Sequence, residues 1–208
     1  MAPAQSARTR DSGNAREGVR VGVRRLDAVD GDGDHGAGMA RGSTAAAQAA
    51  RELVAEGAGT QTTLAGAGAR WTEHSGGASG ALWGAALTAA GNSLGDDRDV
   101  DNAAAVAAVQ AFVDSVINLG KANVGDKTIV DALVPFTEAF AMAVESSGDV
   151  SQAWQTAAAA SEEAAAGTEA LVPRMGRARV LGERSVGSPD PGAVSFAMAA
   201  KAAGVATD

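Results

Sequence analysis

From Ser43 onward the chain runs in alanine-rich stretches broken by short glycine clusters, and no segment alternates apolar with polar residues. Alanine is the strongest helix former, and glycine punctuates. A strand with one buried face needs a period of two. This pattern restricts the chain to an all-α fold. Helices are expected over 43–55, with Ser43 or Thr44 as N-cap, and over 62–72, 79–90, 102–119, 127–144, 151–166, 168–175 and 194–205. The clearest is 102–119, where Val106, Val109, Val113, Val116 and Ile117 share one face and Gly120 can terminate the run. Val130, Leu133, Val134, Phe140 and Val144 repeat the pattern over 127–144. The count is seven or eight helices.

Aromatic residues make up only 3% of the 208, so the core must rest mostly on Ala, Val, Leu and Ile. The length suits one domain. We divide it into residues 1–24, rich in Arg, Ser, Gly and Asn without an apolar stripe and read as a disordered or loosely packed tail, and a domain over 25–208. The net charge of −8 argues against a nucleic-acid partner, since phosphate backbones are bound by clustered Lys and Arg. There is no cysteine, which excludes disulfides and thiolate metal sites. The longest apolar run, about 78–90, is shorter than the ~20 residues of a spanning helix, and the N-terminus has no apolar leader core. No membrane partner and a cytoplasmic location are expected.

Four glycine-rich loops, GDGDHG, GGASG, NVGDK and GERSVGSPDPG, suggest helix ends converging on one site. The first follows LDAVD, so that Asp27, Asp30, Asp32 and Asp34 crowd into eight residues. Carboxylates so close repel, and a cation among them would relieve this. An EF-hand calcium loop from Asp30 fails at its sixth position, which is His35 rather than Gly, and at its twelfth, which is Arg41 rather than Glu. Mg²⁺ bound to a nucleotide fits better, because Mg²⁺ takes few carboxylates and completes its shell with phosphate and water. His35-Gly36-Ala37-Gly38 then leads into a helix whose N-terminal amides suit a phosphate. The plain alternative is an acidic surface turn.

With GDGDHG, the downstream segments GGASGALWG, GDKTIVDALVP and GRARVLGERSVGSPDPGA, in this order, resemble the L subunit of dihydroxyacetone kinase, a DhaL/DAK2-type nucleotide-binding domain. The resemblance runs from about Leu26 to the C-terminus. It implies a barrel of about eight antiparallel helices with nucleotide and Mg²⁺ at one end, and the charge of three carboxylates plus a polyphosphate makes two Mg²⁺ ions the expected count. It carries the metal role to Asp27, Asp32 and Asp34, with Asp30 left out as pointing away. It carries nucleotide contacts to His35, Gly36, Ala37, Gly38, Ala78, Ser79, Gly120, Ile129, Arg177, Asp190, Pro191 and Gly192. The chain departs from the family in residues 1–24, which do not resemble its first helix, at Gly38, where a bulkier polar residue is frequent, and at Ser188, where the family has His.

The chemistry implied is transfer of a phosphoryl group to dihydroxyacetone or a similar short ketose held on a separate K subunit. Bound ADP would be recharged by a phosphotransferase-system protein, or ATP would be consumed. The alternatives are an ATP-consuming kinase for a four-carbon ketose such as erythrulose, and a non-catalytic nucleotide-binding module. The residues themselves leave GDKT as an ordinary helix start, Trp71, Trp83 and Trp154 as core fillers, and His74 as a loop residue.

Overall fold

The computed structural model of the protein describes residues 34–97, 99–180 and 182–205. The expectations for residues 1–24 and for Asp27, Asp30 and Asp32 lie outside the described residues. Among the described residues there are seven α-helices: α1 (His35–Ala55), α2 (Thr60–Ser75), α3 (Gly77–Leu94), α4 (Asn102–Gly120), α5 (Val130–Ser147), α6 (Val150–Gly167) and α7 (Pro191–Val205). Three 3₁₀ turns, Thr168–Ala170, Arg177–Val180 and Gly182–Ser185, lie between α6 and α7. The fold is all-α, as expected. Each helix packs against the next in chain order, and α7 returns onto α6 and α5 and touches α1. Residues 56–59 join α1 to α2, Gly76 alone joins α2 to α3, and 148–149 join α5 to α6. Connections this short make packed neighbours antiparallel.

Local rules explain several helix ends. Asp101 and Asp149 cap α4 and α6, accepting from Ala104 N and Gln152 N at 2.7 and 3.0 Å. Gly148 closes α5 with φ of 69°. Four expectations change. First, α1 begins at His35, eight residues before Ser43, so Ser43 and Thr44 are not caps. Their hydroxyls donate back to Ala40 O instead. Second, Gly120 is the last residue of α4 and the left-handed cap is Lys121, φ 56°. Third, 168–175 forms only one 3₁₀ turn, after which Leu171 is extended. Pro173 bars a helix through it. Fourth, His74 lies in the last turn of α2.

The helix α2 has its cap supplied from elsewhere in the chain. Its own N-cap residue, Gly59, has no side chain, and the Asp96 carboxylate accepts from Thr62 N at 2.9 Å and Thr62 Oγ1 at 2.6 Å. A Cβ at Gly59 would meet that carboxylate. The hydroxyl and amide of Thr62 hold the Asp96 carboxyl below its ordinary range. At the other end, Arg41 of α1 donates to His74 O and Ser75 O at 3.1 and 3.3 Å, a cation at the negative end of the α2 dipole.

Small residues let α1, α2 and α3 approach closely. A Cβ added at Gly42 would lie 2.7 Å from Trp71 Nε1, and one at Gly68 would lie 2.5 Å from Gly84 O. The core contains Ala86, Ala132, Val116, Val130 and Leu133, but the few aromatics do more than fill gaps. All three tryptophans and four phenylalanines belong to one connected set of ring contacts. Trp71 stacks on Trp83 at 4.6 Å, Trp83 meets Phe112 and Phe196, and Phe196 meets Phe136 beside Phe140 and Trp154. By length and composition α4 could cross a membrane. Its Val113 and Val116 are nonetheless buried in the shared core.

Candidate functional site

A cavity of about 200 Å³ opens where alternate helices begin. His35 lines it from the first residue of α1, Ser79 from the first turn of α3, Ile129 from the N-cap of α5, and Pro191 and Gly192 from the start of α7. Antiparallel neighbours put the N-termini of alternate helices at one end, and here four of them meet. Each brings a partial positive charge and amides without helical acceptors. The arrangement suits a polyanion.

The two glycine-rich entries are built differently. In α1 the helical ladder starts with Gly38 N donating to Asp34 O at 2.9 Å. The amides of Gly36 and Ala37 therefore precede the ladder, whereas that of Gly38 is committed. A Cβ at Gly38 would lie 3.0 Å from Ser75 O, so α1 and α2 approach closely here. In α3, Gly76 and Gly77 have φ of 72° and 65°, a conformation that favours glycine. Gly80 N donates to Gly76 O at 3.3 Å, so the amides of Ala78 and Ser79 come before that bond. Gly80 itself packs against Ser75. GGASG thus combines an anion-ready turn with a helix-packing glycine.

His35 ties these entries together. Its Nε2 lies 3.0 Å from Ser195 Oγ on α7, and its Nδ1 lies 3.4 Å from Ser79 Oγ on α3. Asp190 caps α7 by accepting from Ala193 N at 2.7 Å, and its own amide donates to Thr168 Oγ1 at 2.7 Å. Pro191 occupies the first helical position, where its missing N–H costs nothing. A Cβ at Gly192 would crowd Asp190 Oδ2 and Ile129, so this glycine is what lets α7 start against α5.

Of the residues expected here, His35, Ser79, Ile129, Asp190, Pro191 and Gly192 line the cavity. Gly36, Ala37, Gly38 and Ala78 flank it in the first turns of α1 and α3. Gly120 stands behind the wall, 3.8 Å from Leu82 measured from a Cβ built on it. Arg177 opens a 3₁₀ turn between the lining residues Gly176 and Ala178. Asp34 is exposed at the N-cap of α1, beside the cavity. Among the described residues no three metal-ligating side chains cluster, and Asp27 and Asp32 fall outside them. An exposed carboxylate next to the amides of Gly36 and Ala37 has the chemistry to share a hard cation with a phosphate.

Several lining residues were not anticipated: Leu82, Trp83, Lys127, Thr128 and Met175. Trp83 is a core residue that also faces the cavity. Lys127, expected at an ordinary helix start, precedes α5 with φ of 60° and is buried. The helix begins only at Val130, where Asp131 accepts from Gly125 N and from Thr128 N at 2.5 and 2.7 Å.

Comparison with known proteins identifies the family. The chain is 54% identical over 180 residues to an L-erythrulose 1-kinase of Mycolicibacterium smegmatis, covering 86% of this chain and 31% of that protein. It spans about a third of that kinase's length. It is 34% identical over 170 residues to the ADP-binding subunit DhaL of the PEP-dependent dihydroxyacetone kinase of Escherichia coli, covering 82% of this chain and 80% of the subunit. Its fold superposes with a TM-score of 0.62 and 27% identity on the dihydroxyacetone kinase of C. freundii in complex with AMP-PNP and Mg²⁺, covering 93% of this chain and 32% of that one. The DAK2 domain matches residues 29–204, and the chain belongs to that family.

Proposed function

We propose that this chain is the nucleotide-binding part of a DAK2-type kinase that consumes Mg-ATP to phosphorylate a short ketose, with erythrulose favoured over dihydroxyacetone. The convergence of four helix N-termini on one cavity, with His35 linking three of them, carries the nucleotide reading. The 54% identity to an erythrulose kinase, against 34% to a dihydroxyacetone kinase subunit, favours the four-carbon acceptor and direct use of ATP.

Phosphoryl transfer asks the protein mainly for positioning and charge stabilisation. The amides of Gly36, Ala37, Ala78 and Ser79 would receive phosphate oxygens. Asp34, with Asp27 and Asp32, would hold Mg²⁺, which neutralises phosphate charge when bound. Three carboxylates and a polyphosphate outweigh one divalent cation, which supports two ions. Ile129, Gly192 and the 3₁₀ turn at Arg177 would form the wall around the rest of the nucleotide. The acceptor ketose would be held by a K-type domain, consistent with kinases about three times the length of this chain.

The test is phosphorylation of erythrulose and of dihydroxyacetone, with ATP as donor and the substrate-binding part of a related kinase supplied. Faster turnover of erythrulose is expected, with bound nucleotide exchanging freely on dialysis. Retention of ADP through dialysis, with phosphate accepted only from a phosphotransferase-system protein, would sink the ATP reading. Equal affinity of wild type and Asp32→Ala for Mg-nucleotide would refute the metal assignment.

A further inference from the structure

We propose that Lys127 is a positioning residue for the nucleotide, acting by clamping a strap of chain that forms one wall of the cavity. The inference rests on the nucleotide reading of that site. The strap is residues 168–190, between α6 and α7. Its two ends are tied together, Asp190 N donating to Thr168 Oγ1 at 2.7 Å and Gly187 N to Glu169 O at 2.8 Å. Between those ties it supplies Met175, Gly176 and Ala178 to the cavity.

One ammonium grips both limbs of this strap. Lys127 Nζ donates to Leu171 O on the outgoing limb at 3.2 Å and to Ser185 O on the returning limb at 2.7 Å. The adjacent residue adds a third tie, Arg174 N donating to Asp126 O at 3.1 Å. Lys127 is only 2% exposed and takes a left-handed φ of 60°. Burying an ammonium is costly, and the left-handed region is unfavourable for a side-chain-bearing residue. Among the described residues both of its acceptors are main-chain carbonyls. A methionine would fill the same space without that desolvation penalty. What a methionine lacks is donors that hold two separated carbonyls at once. Lys127 also lines the cavity itself, so the clamp lies where a displaced strap would be felt by a ligand.

The experiment compares wild type with Lys127→Met, and with Lys127→Gln should the methionine variant not fold. Limited trypsin digestion with mass spectrometry reads the strap directly, because Arg174, Arg177, Arg179 and Arg184 all lie in it. Titration calorimetry reads affinity for Mg-ADP. Loss of two charged hydrogen bonds predicts cleavage within 168–190 about tenfold faster, and Mg-ADP bound about tenfold more weakly, by folded protein. Faster cleavage with unchanged affinity would leave Lys127 a purely structural residue and overturn the proposal. Unchanged cleavage would overturn the clamp. If wild type binds neither Mg-ADP nor Mg-ATP, the nucleotide reading falls and the positioning role with it. The cleavage rates would then still decide whether Lys127 holds the strap.

Discussion

His35 Nε2 lies 3.0 Å from Ser195 Oγ, joining the first residue of α1 to α7 across 160 positions of sequence. Ser195 Oγ also lies 3.0 Å from Gly192 O, so the hydroxyl stands between the His35 ring and the main chain of α7. The other ring nitrogen, Nδ1, faces Ser79 Oγ at 3.4 Å. Removing the serine should therefore loosen the ring rather than abolish the site. Ser195→Ala is expected to cost about 1 kcal/mol of stability in urea titration and a few-fold in Mg-nucleotide affinity. His35→Ala should cost more affinity than Ser195→Ala. Unchanged affinity in the His35 variant would remove the imidazole from the binding site.

The cap on α2 predicts a pH dependence of known sign. Hydrogen bonds from Thr62 lower the folded-state pKa of Asp96. A depressed carboxyl contributes stability that is fully present above its unfolded pKa and is lost as pH falls through the folded value. Asp96→Asn should therefore melt below wild type at about pH 7, with the gap closing toward about pH 2. Thermal melts at several pH values check this. A gap that stays constant with pH would show that charge at Asp96 is irrelevant.

The glycines of the first three helices are not interchangeable with those elsewhere. Gly42→Ala would drive a methyl against Trp71 Nε1 and Ser75 Cβ, at 2.7 and 2.9 Å. Overpacking of that kind costs about 1–3 kcal/mol. Gly167, at the end of α6, has nothing within 4 Å of an added Cβ. Gly167→Ala should be neutral or stabilising by up to about 1 kcal/mol. Chemical denaturation of the two variants separates packing glycines from incidental ones.

Trp83 offers an optical readout. It lines the cavity and stacks on Trp71, while Trp154 packs between Phe136 and Phe140 and donates Nε1–H to Ala200 O at 2.8 Å. Mg-nucleotide should change intrinsic fluorescence through the Trp71–Trp83 pair. Trp83→Phe should remove most of that change, and Trp154→Phe should preserve it. A response that survives in the Trp83 variant would put the ligand elsewhere.

Helices governed by local chemistry were legible in the sequence almost to the residue. The expected 102–119 and 151–166 correspond to Asn102–Gly120 and Val150–Gly167, because an aspartate cap and an alanine-rich body need no tertiary information. The start of α1 was not. Gly36, Gly38 and Gly42 lower helix propensity, yet Gly38 and Gly42 are where α1 must approach Ser75 and Trp71. Segment 168–175 fails for the opposite reason. Its residues favour a helix up to Pro173, but Lys127 and Asp126 pull it into a strap. At the site, the glycine-rich helix entries and Asp190-Pro191-Gly192 announce themselves by residue type. Lys127, Trp83 and Met175 do not, since only contacts between segments distant in sequence bring them to the cavity.

The corner between α2 and α3 consists of Gly76 alone. Such a joint has no spare length. One residue gained or lost in the adjoining turns would rotate all that follows by about 100°. Ser79 would swing away from His35, and Gly80 and Gly84 would lose their places against α2. This part of the chain can therefore change its letters but not its spelling length.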